Sequence, residues 1–226
     1  MNWLFALFLS IIISYLLGSV NFAVIVSKIF AREDVRNMGS GNAGMTNVIR
    51  SVGLLPGIIT FVGDFLKGFA APIIGKYLLF PIVFENAPEF IAPFLSPSYG
   101  IYICGFFCII GHAYPVFFGF RGGKGVSTSI AVLYCIDWVV ATFVLVTFLF
   151  IFLITKIISI GSIVGAFEFT VFNLLINLNR ELPMSEFVYI IVLSAVLSSV
   201  VILKHKANII RLHNGEEKQL SSRKQG

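Results

Sequence analysis

Charge is scarce in this chain: Asp, Glu, Lys and Arg together make up 12% of its 226 residues. So few polar side chains cannot cover a water-soluble globule of this size, which excludes an ordinary soluble domain and leaves lipid as the solvent. Cysteine is scarce too, and all three, Cys104, Cys108 and Cys135, lie inside apolar runs. They provide no disulfide framework. Cys104 and Cys108 are one helical turn apart without further ligands nearby, so apolar packing is expected of them rather than a metal site. The first segment, MNWLFALFLSIIISYLLGSV, lacks both a basic residue ahead of its apolar stretch and a small-residue exit after it, so it reads as an uncleaved anchor and not a signal peptide. Nor does the chain alternate polar and apolar residues in ten-residue segments, which argues against a lipid-facing β-barrel.

What is abundant is apolar: 58% of the residues, 24 of them Phe. A bilayer core of about 30 Å takes roughly 20 helical residues to cross. Runs that could cross it fall near 3–30, 52–80, 99–118, 126–155, 158–178 and 184–203. Ser10, Ser14 and Gly18 recur every four residues in the first run, a small face for close helix packing. Orientation follows from Lys and Arg. Segment 81–98 has two Glu and neither Lys nor Arg, so it is expected outside; residues 31–50, with Arg32, Arg36 and Arg50, are then inside, and the amino terminus is outside. Read as one helix, 126–155 would put Lys156 and the basic tail outside. A split at Asp137-Trp138, the one polar-aromatic break in the run, restores the rule. The expected fold is therefore an all-α polytopic membrane protein of seven membrane helices, the fourth short (126–136), forming a single domain over 1–226 with a cytoplasmic carboxyl terminus. Thirteen of the sixteen Lys and Arg then face the cytoplasm: 28, 32, 36, 50, 121, 124, 156, 204, 206, 211, 218, 223 and 224.

Three of the inner segments carry chemistry. In 35–51, VRNMGSGNAGMTNVIRS, three glycines expose backbone N–H groups, Ser40, Asn42, Thr46 and Asn47 add neutral polar groups, and Arg50 offers a fork suited to phosphate. In 111–128, GHAYPVFFGFRGGKGVST, Gly122, Gly123 and Gly125 allow close backbone approach, Lys124 adds a cation, and Ser127 and Thr128 open the short helix with its positive end toward the same place. This is not a nucleotide-binding P-loop, because Gly125 stands where Ser or Thr must follow the lysine. In 203–219, LKHKANIIRLHNGEEKQ, His205, Asn208 and Arg211 share a helical face, and a basic stop at the membrane surface would explain the Lys and Arg but neither Asn208 nor Glu217. Within the second run Asp64 and Lys67 are three apart, and a mutual pair facing the interior is the cheapest way to hold charge there, with a supporting role toward the site. Glu168 has no such partner one turn away. The three segments contain neither a carboxylate cluster for a metal nor a Ser-His-Asp or Cys-His set, so the chemistry expected of them is anion binding and positioning.

The blocks YLLGSVNF, GSGNAGMTNVIR, GDFLKG, GHAYPVFFGFRGGKGVST and HKANIIRLHNGEE, in this order, resemble the bacterial membrane glycerol-3-phosphate acyltransferase family that uses acyl phosphate, the PlsY type. The resemblance covers nearly the whole chain. It implies seven helices in the bacterial inner membrane, a site facing the cytoplasm, and transfer of a fatty acyl group from acyl phosphate to the 1-hydroxyl of sn-glycerol 3-phosphate. Lysophosphatidic acid and inorganic phosphate are the implied products, without cofactor or metal, as the first step of phospholipid synthesis. An acyl-phosphate-forming enzyme upstream and the membrane lipid are the implied partners, and nucleic acid is not one. The family motifs fall on Ser40, Asn42, Gly44, Thr46, Asn47 and Arg50; on His112, Gly122, Gly123, Lys124, Gly125 and Thr128; and on His205, Asn208, Arg211 and Glu217. The His-x-x-x-x-Asp arrangement of common glycerolipid acyltransferases is absent, since Phe117 stands five residues after His112. Departures are Asn21 for a usual proline, Met45 for alanine, and Lys204 and Lys206 for arginines, which keep charge and lose the bidentate fork. Lys124, Arg50 and His112 are the expected catalytic groups, with either His112 or a substrate phosphate taking the proton. The rival reading is a membrane carrier for phosphorylated solutes, against which stand the lack of an evident internal repeat and the gathering of polar residues at one membrane face.

Overall fold

The structure, a computed structural model, describes residues 2–220. Arg223 and Lys224 of the expected inner-face charges lie outside the described residues. Every regular element among them is helical. Helix α1 (Trp3–Ser19) begins where the Asn2 side chain accepts from the Leu4 amide, and α2 (Phe22–Ala31) begins where Asn21 accepts from Val24. The single run expected over 3–30 is thus broken at Val20-Asn21, both extended. The break has a physical reason: Asn21 caps the new helix, and Lys67 donates to the freed Val20 carbonyl at 2.6 Å.

After α3 (Met45–Ser51), α4 (Leu54–Ile74) continues through a wide turn, Gly75–Leu79, into α5 (Phe80–Asn86). This run passes the expected limit at 80, and Pro81, which cannot donate to the preceding turn, follows directly on the wide turn that accommodates it. Next come α6 (Pro97–Ala113), α7 (Val126–Ile136), α8 (Trp138–Thr155), α9 (Ile158–Leu178), α10 (Met184–Lys204) and a surface helix α11 (Lys206–His213). Six helical runs are long and apolar enough to cross a bilayer: Trp3–Ala31, Leu54–Asn86, Pro97–Phe118, Trp138–Thr155, Ile158–Leu178 and Met184–Lys204. With 11 residues, α7 rises about 16 Å, roughly half of a bilayer core. It stops at Asp137, whose carboxylate accepts from the amides of Val139 and Val140 at 2.9 and 3.1 Å and so starts α8.

Polarity is inverted relative to a soluble protein. Phe5, Phe8, Phe143, Phe150 and Leu153 point outward, whereas Ser10, Ser14, Asn173, Asn177 and Ser198 are buried. Lipid does not drive apolar faces together, so small residues and hydrogen bonds must hold the helices. Thr170 of α9 meets Ser198 of α10 at 2.9 Å, and Gly18 of α1 lies against the backbone of Cys108 on α6, where a side chain has no room. The buried Oε2 of Glu168, midway along α9, has no hydrogen-bond partner among the described residues, and nothing in the structure explains it.

The bundle has two distinct ends. At one, Tyr99 meets Glu186, Tyr189 meets the Phe94 carbonyl, and Arg180 faces Asp137. At the other, the segments around Arg36, Lys124, Lys156 and Asn208 come together, and the three motif regions lie here.

Candidate functional site

One cavity of about 740 Å³ opens at this second end, lined by parts of all three motif regions and by α4, α6, α7, α8, α9 and α10. Its mouth is polar and its depth is apolar.

The first region is shaped by Asn47. This buried side chain donates to the carbonyls of Val35, Met38 and Asn42 at 2.9–3.1 Å and accepts from the Ser40 amide at 2.9 Å. Its polar atoms are therefore committed to folding the loop, and Ser40, Asn42 and Thr46 are left facing the cavity. Arg36 ties this loop to the second region by donating to the carbonyls of Phe118 and Arg121, while Asp34 grips its other edge at 2.8 Å. That hydrogen bond to Arg36 holds the Asp34 carboxyl below its usual range.

The second region folds back over His112. A side chain at Gly123 would collide with the His112 ring and the Ala43 carbonyl, and one at Gly122 with the His112 carbonyl, so these glycines permit a backbone stack. Gly125 takes the left-handed conformation (φ 82°) that turns the loop into α7, aiming the free amides of that helix at the cavity. Beneath lies a buried polar cluster. Asp64 Oδ1 is 2.8 Å from Lys67 Nζ and 3.4 Å from His112 Nδ1, and Thr128 Oγ1 is 3.4 Å from the same ring nitrogen. Asp64 and His112 reach the cavity wall; Lys67, Thr128, Gly122 and Gly123 support it from behind.

Lys124 and the third region meet across the mouth. Lys124 Nζ donates to Asn208 Oδ1, Asn208 donates to Glu217 Oε1, and Glu217 also accepts from Arg211 at 2.7 Å and Ser159 at 2.8 Å. Burial lowers the Lys124 pKa to about 8. Burial pushes the Glu217 carboxyl up, but its hydrogen bonds to Ser159, Asn208 and Arg211 prevail and hold it below the ordinary value. Burial also pulls His205 down to about 4, so the ring is neutral at pH 7. Its Nδ1 lies 2.8 Å from the Val201 carbonyl, which can only accept; Nδ1 therefore carries the proton and Nε2 is left as an acceptor. Arg50 lines the mouth and donates to the carbonyls of Lys218 and Gln219.

Ser40, Asn42, Thr46, Asn47, Arg50, Asp64, His112, Lys124, Gly125, His205, Asn208, Arg211 and Glu217, all singled out in the sequence, line this one cavity. Sequence reasoning missed Arg36 as the link between loops and Ser159 as the support of Glu217, because both act through partners distant in the chain. It also missed Ser129, one turn into α7, whose buried hydroxyl lines the cavity without a partner among the described residues. Lys204, at a position where the resemblance puts arginine, donates to the Ala113 carbonyl at 3.2 Å and lies over the Tyr114 ring, so its charge closes the end of α6 instead of facing the cavity.

The chain is similar to known proteins over nearly its whole length. A family model described as glycerol-3-phosphate acyltransferase matches residues 8–215. The glycerol-3-phosphate acyltransferase of Finegoldia magna is 34% identical over 220 residues, covering 97% of this chain and 98% of that one. That of Clostridioides difficile strain 630 is 34% identical over 222 residues, covering 98% and 99%. The crystal structure of PlsY (YgiH), an integral membrane glycerol 3-phosphate acyltransferase, superposes in its glycerol 3-phosphate form with a TM-score of 0.75 at 32% identity, covering 94% of each chain. Its lysophosphatidic acid form superposes with a TM-score of 0.72 at 31% identity.

Proposed function

From the premise that the chain belongs to the glycerol-3-phosphate acyltransferase family, we propose that it transfers a fatty acyl group from acyl phosphate to the 1-hydroxyl of glycerol 3-phosphate at the cytoplasmic face of a bacterial inner membrane. The observation that carries this reading is one cavity with a cationic, donor-rich mouth and a long apolar limb. Both substrates carry phosphate and one carries a chain, which is the chemistry such a shape accommodates.

Orientation follows the charge. The mouth end gathers Arg36, Arg50, Lys124, Lys156 and Arg211, which the positive-inside rule assigns to the cytoplasm, so the amino terminus lies outside. With α7 counted as a half-length fourth crossing, the chain makes seven in a single domain over residues 1–226.

In the reaction, Lys124, Arg50, Ser40 and the first amides of α7 hold the phosphate of the donor. Neutral His205 accepts through Nε2 from a glycerol hydroxyl, and Asn208 and Arg211, aligned by Glu217, hold glycerol 3-phosphate. The 1-hydroxyl oxygen attacks the acyl carbonyl carbon, the carbon–oxygen bond to phosphate breaks, and the hydroxyl proton leaves on the released phosphate. The surroundings of His112 support this route for the proton: Asp64 and Thr128 flank Nδ1, and Gly123 covers the opposite edge of the ring. His112 then positions the loop above it. Acyl phosphate is already activated, so alignment supplies much of the rate; effective molarities of roughly 10⁵–10⁸ M are attainable for well-placed reactants. An upstream acyl-phosphate-forming enzyme supplies the donor.

The donor is the testable part. With purified protein in lipid and labelled glycerol 3-phosphate, palmitoyl phosphate is expected to yield lysophosphatidic acid and one equivalent of inorganic phosphate, and palmitoyl coenzyme A none. Equal product from the coenzyme A ester would overturn the donor assignment.

A further inference from the structure

The apolar limb of the cavity ends part-way along four helices. On α9 the lining residues run from Ile158 to Phe169 and stop, although that helix continues to Leu178. On α10 they stop at Leu197, on α8 at Val144, and on α7 at Leu133 and its neighbour Tyr134. Phe169, Leu197, Val144 and Leu133 belong to one buried cluster, and Phe169 and Leu197 are 1% and 3% exposed. Beyond Val144 the cluster continues on α8 with Val140 and Ala141, which are fully buried and do not line the cavity. Along the helix axes the limb therefore ends against these side chains.

Its depth follows from helix rise. Ten residues from Ser159 to Phe169 span about 15 Å, and eight from His205 to Leu197 about 12 Å. Half of a roughly 30 Å hydrocarbon core is also about 15 Å, the thickness that the chains of one leaflet fill. We infer that Phe169, with Leu197 beside it, is the floor that sets the longest acyl chain the enzyme accepts, matching donor length to the leaflet of the membrane it serves. This rests on the acyltransferase reading above.

The donor's chain leaves lipid and not water, so an added methylene gains little by entering the limb, and the floor selects chains by excluding those that would overrun it. A terminal methyl that meets Phe169 gains nothing from further carbons and must kink or withdraw its head from the mouth.

The test is a competition in which the protein in lipid receives an equimolar mixture of saturated acyl phosphates from dodecanoyl to eicosanoyl, and the chain lengths in the lysophosphatidic acid are read by mass spectrometry. Phe169→Ala is expected to raise the ratio of octadecanoyl and eicosanoyl to hexadecanoyl product several-fold over wild type. Leu197→Ala tests the same floor from a different helix, so a folding failure in one variant leaves the question answerable. Ala166→Leu, which narrows the limb above the floor, is expected to shift the distribution toward shorter chains. Wild-type distributions from whichever of the two floor variants turns over would overturn the ruler alone. No product from the wild type with any donor would overturn the acyltransferase reading and the ruler with it.

Discussion

Burial sets the chemistry of Lys124. Half-buried beside Asn208, its ammonium has a pKa of about 8, below the ordinary lysine value, so it is charged below that pH and neutral above it. If its charge holds the donor phosphate, kcat/KM for acyl phosphate falls about tenfold per pH unit above roughly pH 8. Lys124→Arg, which stays charged, is expected to lose rate but also to lose that alkaline limb. An alkaline limb that survives in the arginine variant would assign it to another group. At this scale much of the site was legible: the glycine-dense loops and their Arg, Lys, His and Asn do meet in one cavity. The work of Asn47 was not, because an asparagine that folds its own loop and one that faces a ligand look alike in sequence, and only its three carbonyl partners separate them. Arg36 and Ser159 were hidden for a related reason, since each acts across more than fifty residues.

Helix boundaries divide along the same line. The break between α7 and α8 could be read from charge, because without it the basic residues after it violate the positive-inside rule. Its local cause is Asp137, which caps α8 at two amides and faces Arg180 at 3.6 Å. Losing such a cap costs about 1 kcal/mol, or roughly 2–4 °C in melting temperature for a chain of this size. Asp137→Ala is expected to melt that much lower in detergent and Asp137→Asn, which can still cap, close to wild type; equal melting of all three would show that the cap contributes nothing. The break between α1 and α2 was not legible, because Val20-Asn21 sits in a continuous apolar run. The carbonyl it frees is taken by Lys67, 47 residues away.

The whole molecule is an inverted one, with phenylalanine outward and serine, asparagine and the Asp64–Lys67 pair inward. Composition alone made that inversion legible, whereas the closed floor of the apolar limb depended on how four helices pack. A carrier and an acyltransferase could share such an exterior. They differ in what the polar mouth does once a soluble phosphate ester and a lipid-tailed donor meet in it: a carrier releases its solute unchanged on the far side, and a transferase joins the two. The most direct measurement supplies purified protein in lipid with labelled glycerol 3-phosphate and palmitoyl phosphate, in the absence of added metal and coenzyme A, and follows labelled lysophosphatidic acid. Wild type is expected to form it, and Lys124→Ala, which removes the cation proposed to hold the donor phosphate, to form about 10²–10³-fold less. Labelled glycerol 3-phosphate crossing the vesicle wall unaltered, with no lysophosphatidic acid from the wild type, would contradict the transferase and favour the carrier.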